Sequence, residues 1–275
     1  MKKILKFAWC VVVLCIATGC HNLKSQDLLR IAASPAPHAE LLYALNEDAK
    51  ALGLCLKVLP LDDYRIPNRL LLDKQIDANY FQHEEFFQDE CERYNCVEEL
   101  VPLVRVHIEP MGLYSKKFSS VQELRRKGKL TIAIPVDRTN SQRALDLLES
   151  CELISFKHTS SLNATKRDVC TLGERKISIH EIAAPLLMSS FQDVDAAVIP
   201  GNFAITGGLS PQEDSLWLED FSTSKYANIV VVRKEDLATS KIQKLKQLLQ
   251  SDRVRLFFEE TYKGNILTTP LSPQS

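Results

Sequence analysis

The chain has 275 residues and a formal net charge of −1, from 34 basic and 35 acidic side chains, with 45% hydrophobic residues. A balance this close to neutral, with RRKGK at 125–129 as its only short basic run, speaks against nucleic acid as a partner. That run reads instead as a solvated turn between a helix and a strand.

The first twenty residues, MKKILKFAWCVVVLCIATGC, carry three lysines, an apolar run from Phe7 to Ala17 and a small-residue exit. This is the layout of a secretory signal, and the run is shorter than the roughly 20 apolar residues a membrane-crossing helix needs. Ala17-Thr18-Gly19-Cys20 resembles the cleavage box of a bacterial lipoprotein, with Ala17 where leucine is usual. Residues 1–19 are therefore expected to be removed, Cys20 to carry lipid, and 20–29 to tether the protein to a cell membrane, facing the periplasm or the exterior. About 255 residues follow Cys20, enough for one large or two medium domains with a real core.

Of the eight cysteines, Cys55, Cys91, Cys96, Cys151 and Cys170 remain in the mature part. In an oxidising compartment Cys91 with Cys96 and Cys151 with Cys170 pair by proximity; buried unbonded thiols are the competing reading. The chain has no CxxC pair and its six histidines are scattered, so no structural zinc site and no other metal or cofactor is expected.

Strand-length apolar runs alternate with helical periods along the chain, the pattern of an α/β protein. Strands are expected at 29–33, 55–61, 76–81, 101–106 and about 110–114. Helices follow Pro37 and Pro67, prolines suited to a first turn, and a longer helix covers 84–94. A second set begins near Ser119, with strands at 130–135, 177–182 and 195–199 and helices at 140–150 and 186–192. The segment 227–232 reads as a buried strand. Two helices close the chain, one with Ile242, Leu245, Leu248 and Leu249 on one face, and the tail LTTPLSPQS has turn composition. Periodicity is compatible either with two successive domains or with a chain that returns to complete its first.

Two segments carry chemistry. DANYFQH, 77–83, falls at the carboxyl end of a strand, where open α/β sheets bind ligands; Tyr80 or Phe81 offers an aromatic wall and His83 a polar contact. Core packing for Phe81 and a solvated helix start for His83 compete with this. In DRTNSQRALDLL, 137–148, Thr139 and Gln142 have capping-box spacing, which puts Arg143 in the first turn of a helix, where a cation is disfavoured. A bound anion held by backbone N–H groups and the guanidinium would reverse that penalty; so would an ion pair with an Asp or Glu.

With their flanks, DDYRIPNRLL, QIDANYFQHEEFF, GLYSKKFSSVQEL, IPVDRTNSQRALDLL, AVIPGNFA and YANIVVVRKED resemble, in order and spacing, the landmarks of the methionine-binding lipoproteins, the solute-binding components of methionine ABC importers. The resemblance covers about 29–262. It implies a periplasmic-binding-protein fold of type 2, in which two α/β lobes close over one ligand and the chain crosses the hinge twice. Residues 30–115 with 226–275 would form one lobe and 116–225 the other. The resemblance further implies that Tyr64, Phe81 and His83 line the side-chain pocket. Arg143, assisted by Asn140, would grip the ligand carboxylate, Asn228 its polar end, and an importer permease would be the partner. Departures from the family pattern are Pro200, where an asparagine usually contacts the ligand, with Asn202 two places on; Tyr80, usually small; and Arg138 and Gln142. Pro200 and Tyr80 leave a methionine-containing dipeptide, another apolar amino acid, or an envelope interaction role as alternatives to methionine transport. No GxSxG, HExxH or phosphate-cradling loop occurs, so no enzyme is expected.

Overall fold

A computed structural model of the protein describes residues 26–157, 164–220 and 225–269. The signal segment and Cys20 lie outside the described residues. Among those described, no helix is long and apolar enough to cross a membrane.

The described residues form two sheets. The first contains β1 (Asp27–Ala33), β2 (Leu54–Pro60), β3 (Ala78–His83) and β4 (Leu100–Ile108), then β12 (Ala227–Arg233) and β13 (Leu267–Thr268), in the order β13-β4-β12-β3-β1-β2. The second contains β5 (Met111–Tyr114), β6 (Lys129–Pro135), β9 (Lys176–Ile182), β10 (Ala196–Pro200) and β11 (Trp217–Leu218), in the order β11-β5-β10-β6-β9. Between β6 and β9, β7 (Ile154–Phe156) pairs with β8 (Val169–Thr171) alone. The chain thus passes from the first sheet to the second at Glu109-Pro110 and returns between β11 and β12.

Local sequence explains the central strands. All seven residues of β12, ANIVVVR, are buried, as befits a strand covered on both faces, and it runs antiparallel to both β3 and β4. Against one face of the first sheet pack α1 (Glu40–Ala44), α2 (Asn46–Ala51), α10 (Ser240–Leu249) and α11 (Asp252–Tyr262). Ile242, Leu245, Leu248 and Leu249 of α10 are all buried there, the face its spacing predicts. The opposite face carries α3 (Pro67–Leu72) and α4 (Glu84–Tyr94). In the second sheet, α6 (Arg138–Ser150) lays Ala144, Leu145 and Leu148 on Ile132, Ile134 and Val198, with α5 (Val121–Arg126) beside it. The other face is covered by α7 (Leu187–Ser190) and α8 (Gly201–Thr206), and α9 (Pro211–Asp214) follows.

Three expectations change. The segment about 110–114, read as the last strand of the first unit, starts at Met111 and pairs with β10 and β11 of the second sheet. The start of the tail, read as turn, pairs Leu267 and Thr268 with Ile108 and His107 on the edge of β4; backbone pairing there outweighs the weak local signal. The N-cap of α6 is Asp137 and not Thr139, because the Asp137 carboxylate accepts from Asn140 N at 3.0 Å. Both residue types cap well, and the one nearer the strand end wins.

The five cysteines among the described residues are unbonded. Cys91 and Cys96 stand with sulfurs 2.7 Å apart in the core, whereas Cys151 turns its thiol to the Leu148 carbonyl, 3.4 Å away, and not to Cys170.

Candidate ligand-binding cleft

The ends of β3, β4, β10 and β12 converge where the two sheets face one another. Tyr64, Phe81 and Phe86 from the first side meet Phe203 of α8 from the second, with ring centroids 5.3 to 6.0 Å apart. Such offset and edge-on pairs are favourable arrangements for aromatic rings. Tyr64 Oη donates across the cleft to Asn202 Oδ1 at 2.9 Å.

His83 caps α4: its Nδ1 accepts from Phe86 N at 3.1 Å. Nε2 therefore carries the proton and donates across the cleft to Asn140 Oδ1, 3.2 Å away. Asp89 and Arg138 close the outer rim as an ion pair at 2.5 Å. The cleft is shut on itself, leaving a cavity of about 20 Å³, room for a water and not for a larger ligand.

Two acidic groups organise the polar end. Glu109, at the crossing, is buried; its Oε1 accepts from His107 Nε2 at 2.7 Å and lies 3.5 Å from His38 Nε2, while Oε2 accepts from Asn202 N at 3.0 Å. With Nε2 donating to Glu109, His107 Nδ1 accepts a hydrogen bond from the Tyr80 hydroxyl at 2.5 Å. His38 Nε2 stands 3.0 Å from Asn228 Oδ1. Burial raises the Glu109 carboxyl from its ordinary value, against the pull of His38, Arg143 and the Asn202 N–H.

Arg143 is the second centre. Its Nε donates to Glu219 Oε1 at 2.9 Å and Oε2 at 3.1 Å, and its Nη2 to Glu219 Oε2 at 2.5 Å and to the Glu109 carbonyl at 2.7 Å. Its guanidinium also lies 4.3 Å from the Tyr226 ring centre, within cation–π range. Because α6 starts at Arg138, Arg143 lies in its second turn and not its first as expected, and the ion-pair alternative raised for it is met by Glu219. The backbone anion site at the start of α6 does not form, since the Asp137 carboxylate already takes the Asn140 N–H.

Seven of the expected residues, Tyr64, Phe81, His83, Asn140, Arg143, Asn202 and Asn228, line one cavity, together with Pro200. Tyr80 does not: strand alternation turns it away from Phe81 into the first core, fully buried behind His38 and His107. Sequence reasoning missed Glu109, Glu219 and His38. An acid inside the apolar run VHIEPMGLY was the one visible sign of Glu109.

The three buried histidines set a pH response. Burial pushes His38 down to about 4, and His83 and His107 down to about 3, from an ordinary value of 6.5. The unfolded chain takes up these protons near pH 6.5 and the native state only near 4 and below. Their contribution is therefore complete above pH 6.5 and is lost as pH falls towards 4. Urea unfolding is expected to show stability falling between pH 7.5 and 5.0, by up to about 2 kcal/mol per histidine at pH 5; a flat profile would contradict neutral burial.

Two α/β units closing over a cleft lined from both sides define the fold of the solute-binding proteins that serve ABC transporters. The chain belongs to the NlpA lipoprotein family, whose profile matches residues 29–269. It is 31% identical over 274 residues to the methionine-binding lipoprotein MetQ of Bacillus subtilis, covering 97% of this chain and 98% of that one. A nutrient binding protein from Burkholderia cenocepacia, solved bound to methionine, superposes with a TM-score of 0.82 at 32% identity, over 88% of this chain and 100% of that one. An ABC transporter periplasmic substrate-binding protein from Coxiella burnetii gives 0.80 at 34% identity, over 88% and 100%.

Proposed function

We propose that the cleft binds a zwitterionic amino acid with an apolar side chain, L-methionine first, and delivers it to the permease of an ABC importer. The observation that carries this is the juxtaposition of Arg143 and Glu109, joined by the hydrogen bond from Nη2 to the Glu109 carbonyl, beside the box of Tyr64, Phe81, Phe86 and Phe203. A cation for the carboxylate, an anion for the ammonium and ring edges for a thioether together match methionine. Asn140, Asn202 and Asn228 fix its orientation. Ligand entry exchanges the Tyr64–Asn202 and His83–Asn140 bonds for bonds to the ligand, so the lobes must part and re-close around it.

In this reading the lobes are 26–109 with 225–269, and 111–220, hinged at the two crossings. The role proposed is binding and delivery of an unchanged ligand, supported by the names of the relatives, a methionine-binding lipoprotein and an ABC transporter substrate-binding protein. Lipid on Cys20 holds it at the membrane; Cys20→Ser is expected to move it to the soluble fraction, and unchanged membrane retention would refute the anchor.

The test is isothermal titration of the chain from His21, freed of carried-over ligand by unfolding and refolding, with L-methionine, D-methionine, methionine dipeptides and other apolar amino acids. Tight L-methionine binding supports the proposal. Preference for another member of the panel would follow from Pro200, which lines the cavity and offers no amide; silence across the panel would favour an interaction role.

A further inference from the structure

Glu219 lies just beyond β11, and two bonds to one residue hold it there: its N–H donates to the Met111 carbonyl at 3.0 Å, and Met111 N donates to its Oε2 at 3.1 Å. The side chain thereby extends the β11–β5 ladder. Its carboxylate faces the Nε/Nη2 edge of Arg143, with both oxygens engaged. Nη2 is further committed to the Glu109 carbonyl. Among the described residues Nη1 donates to nothing, and Arg143 lines the cavity.

Two roles are conceivable for an acid so placed: a stand-in that an incoming carboxylate displaces, or a permanent partner. The backbone decides. Removing Glu219 from Arg143 would strip Met111 N of its acceptor and leave a carboxylate that is only 16% exposed without its countercharge, a costly state. A second anion therefore adds to the guanidinium at its open edge and does not replace the first.

We infer that Glu219 is a positioning residue for the ligand: it clamps Arg143 by the Nε/Nη2 edge so that Nη1 is the edge presented to the carboxylate. The inference rests on the amino-acid-binding reading given above. Glutamine at this position keeps the size but has one acceptor oxygen, and its NH₂ group would face the N–H donors of the guanidinium. The arginine then loses its fixed direction, as the forked geometry of a guanidinium depends on a matching two-oxygen partner.

The test compares wild type with Glu219→Gln in two measurements. The Arg143 Nε–H resonance, recorded without ligand, is expected to be sharp and slow to exchange in wild type and to be lost in the variant. L-Methionine is expected to bind the variant at least about tenfold more weakly, a charge-assisted contact being lost. Unchanged affinity overturns the inference. So does weaker binding with the Nε–H signal retained, since Glu219 would then be acting through the Met111 ladder. A wild type that ignores methionine yet loses the signal on substitution faults the ligand assignment and upholds the clamp. If the glutamine variant does not fold, Glu219→Asp, which keeps the charge one methylene short, is expected to show the same two changes at smaller size, and wild-type behaviour in it overturns the inference.

Discussion

Arg143→Ala is expected to weaken L-methionine binding by about two orders of magnitude or more, as a buried charge-assisted contact contributes roughly 3 kcal/mol. Arg143 is only 5% exposed, so little water competes for the carboxylate. The same substitution leaves Glu219 without its countercharge, and some loss of stability will accompany it. Arg143→Lys separates the two effects: it retains the charge and loses the fork, so it should fold better than the alanine variant while still binding weakly. Calorimetric titration alongside thermal unfolding checks both. An affinity within about twofold of wild type for Arg143→Ala would remove this residue from the site.

Gly201→Val is expected to be the most damaging small substitution in the cleft. A Cβ at this position would stand 2.8 Å from the Pro110 carbonyl oxygen and 3.0 Å from Glu109 Cβ. The first of these is backbone at the chain crossing and has no rotamer with which to yield. Helix α8 must then move away from the crossing, and the bond from Asn202 N to Glu109 Oε2 lengthens or breaks. A cost of about 2 to 3 kcal/mol in urea unfolding is expected, together with at least tenfold weaker binding, since Asn202 and Glu109 both face the cavity. Full stability and full affinity in this variant would show that the close approach of α8 to the crossing is not required.

Much of the scaffold was legible because local pattern and tertiary environment agree. ANIVVVR reads as a buried strand and is one; the apolar stripe of α10 marks the face that meets the first sheet. The wall residues Phe81 and His83 were visible as the end of a strand running into a helix. The polar end was less visible. Glu219 stands 76 residues from the arginine it holds and Glu109 stands 93 from Asn202, and nothing within either segment announces a partner so distant. Tyr80 and Phe81 differ by a single step along β3, yet that step decides between core and cleft, and assigning it needed the pairing partners of the strand. The capping position failed for a related reason: Asp137 and Thr139 are both competent, and the choice depends on where β6 ends.

The position of β12 has a temporal side. It lies between β3 and β4, so these two strands, separated by one helix in the chain, are not neighbours in the sheet, and the strand that joins them is made more than a hundred residues later. A chain emerging from its amino end can assemble 111–218 from consecutive elements, while the first sheet waits for its centre. The pairing is long-range and correspondingly slow to form, so β3 and β4 stay unjoined until the elements of the second sheet have all been made.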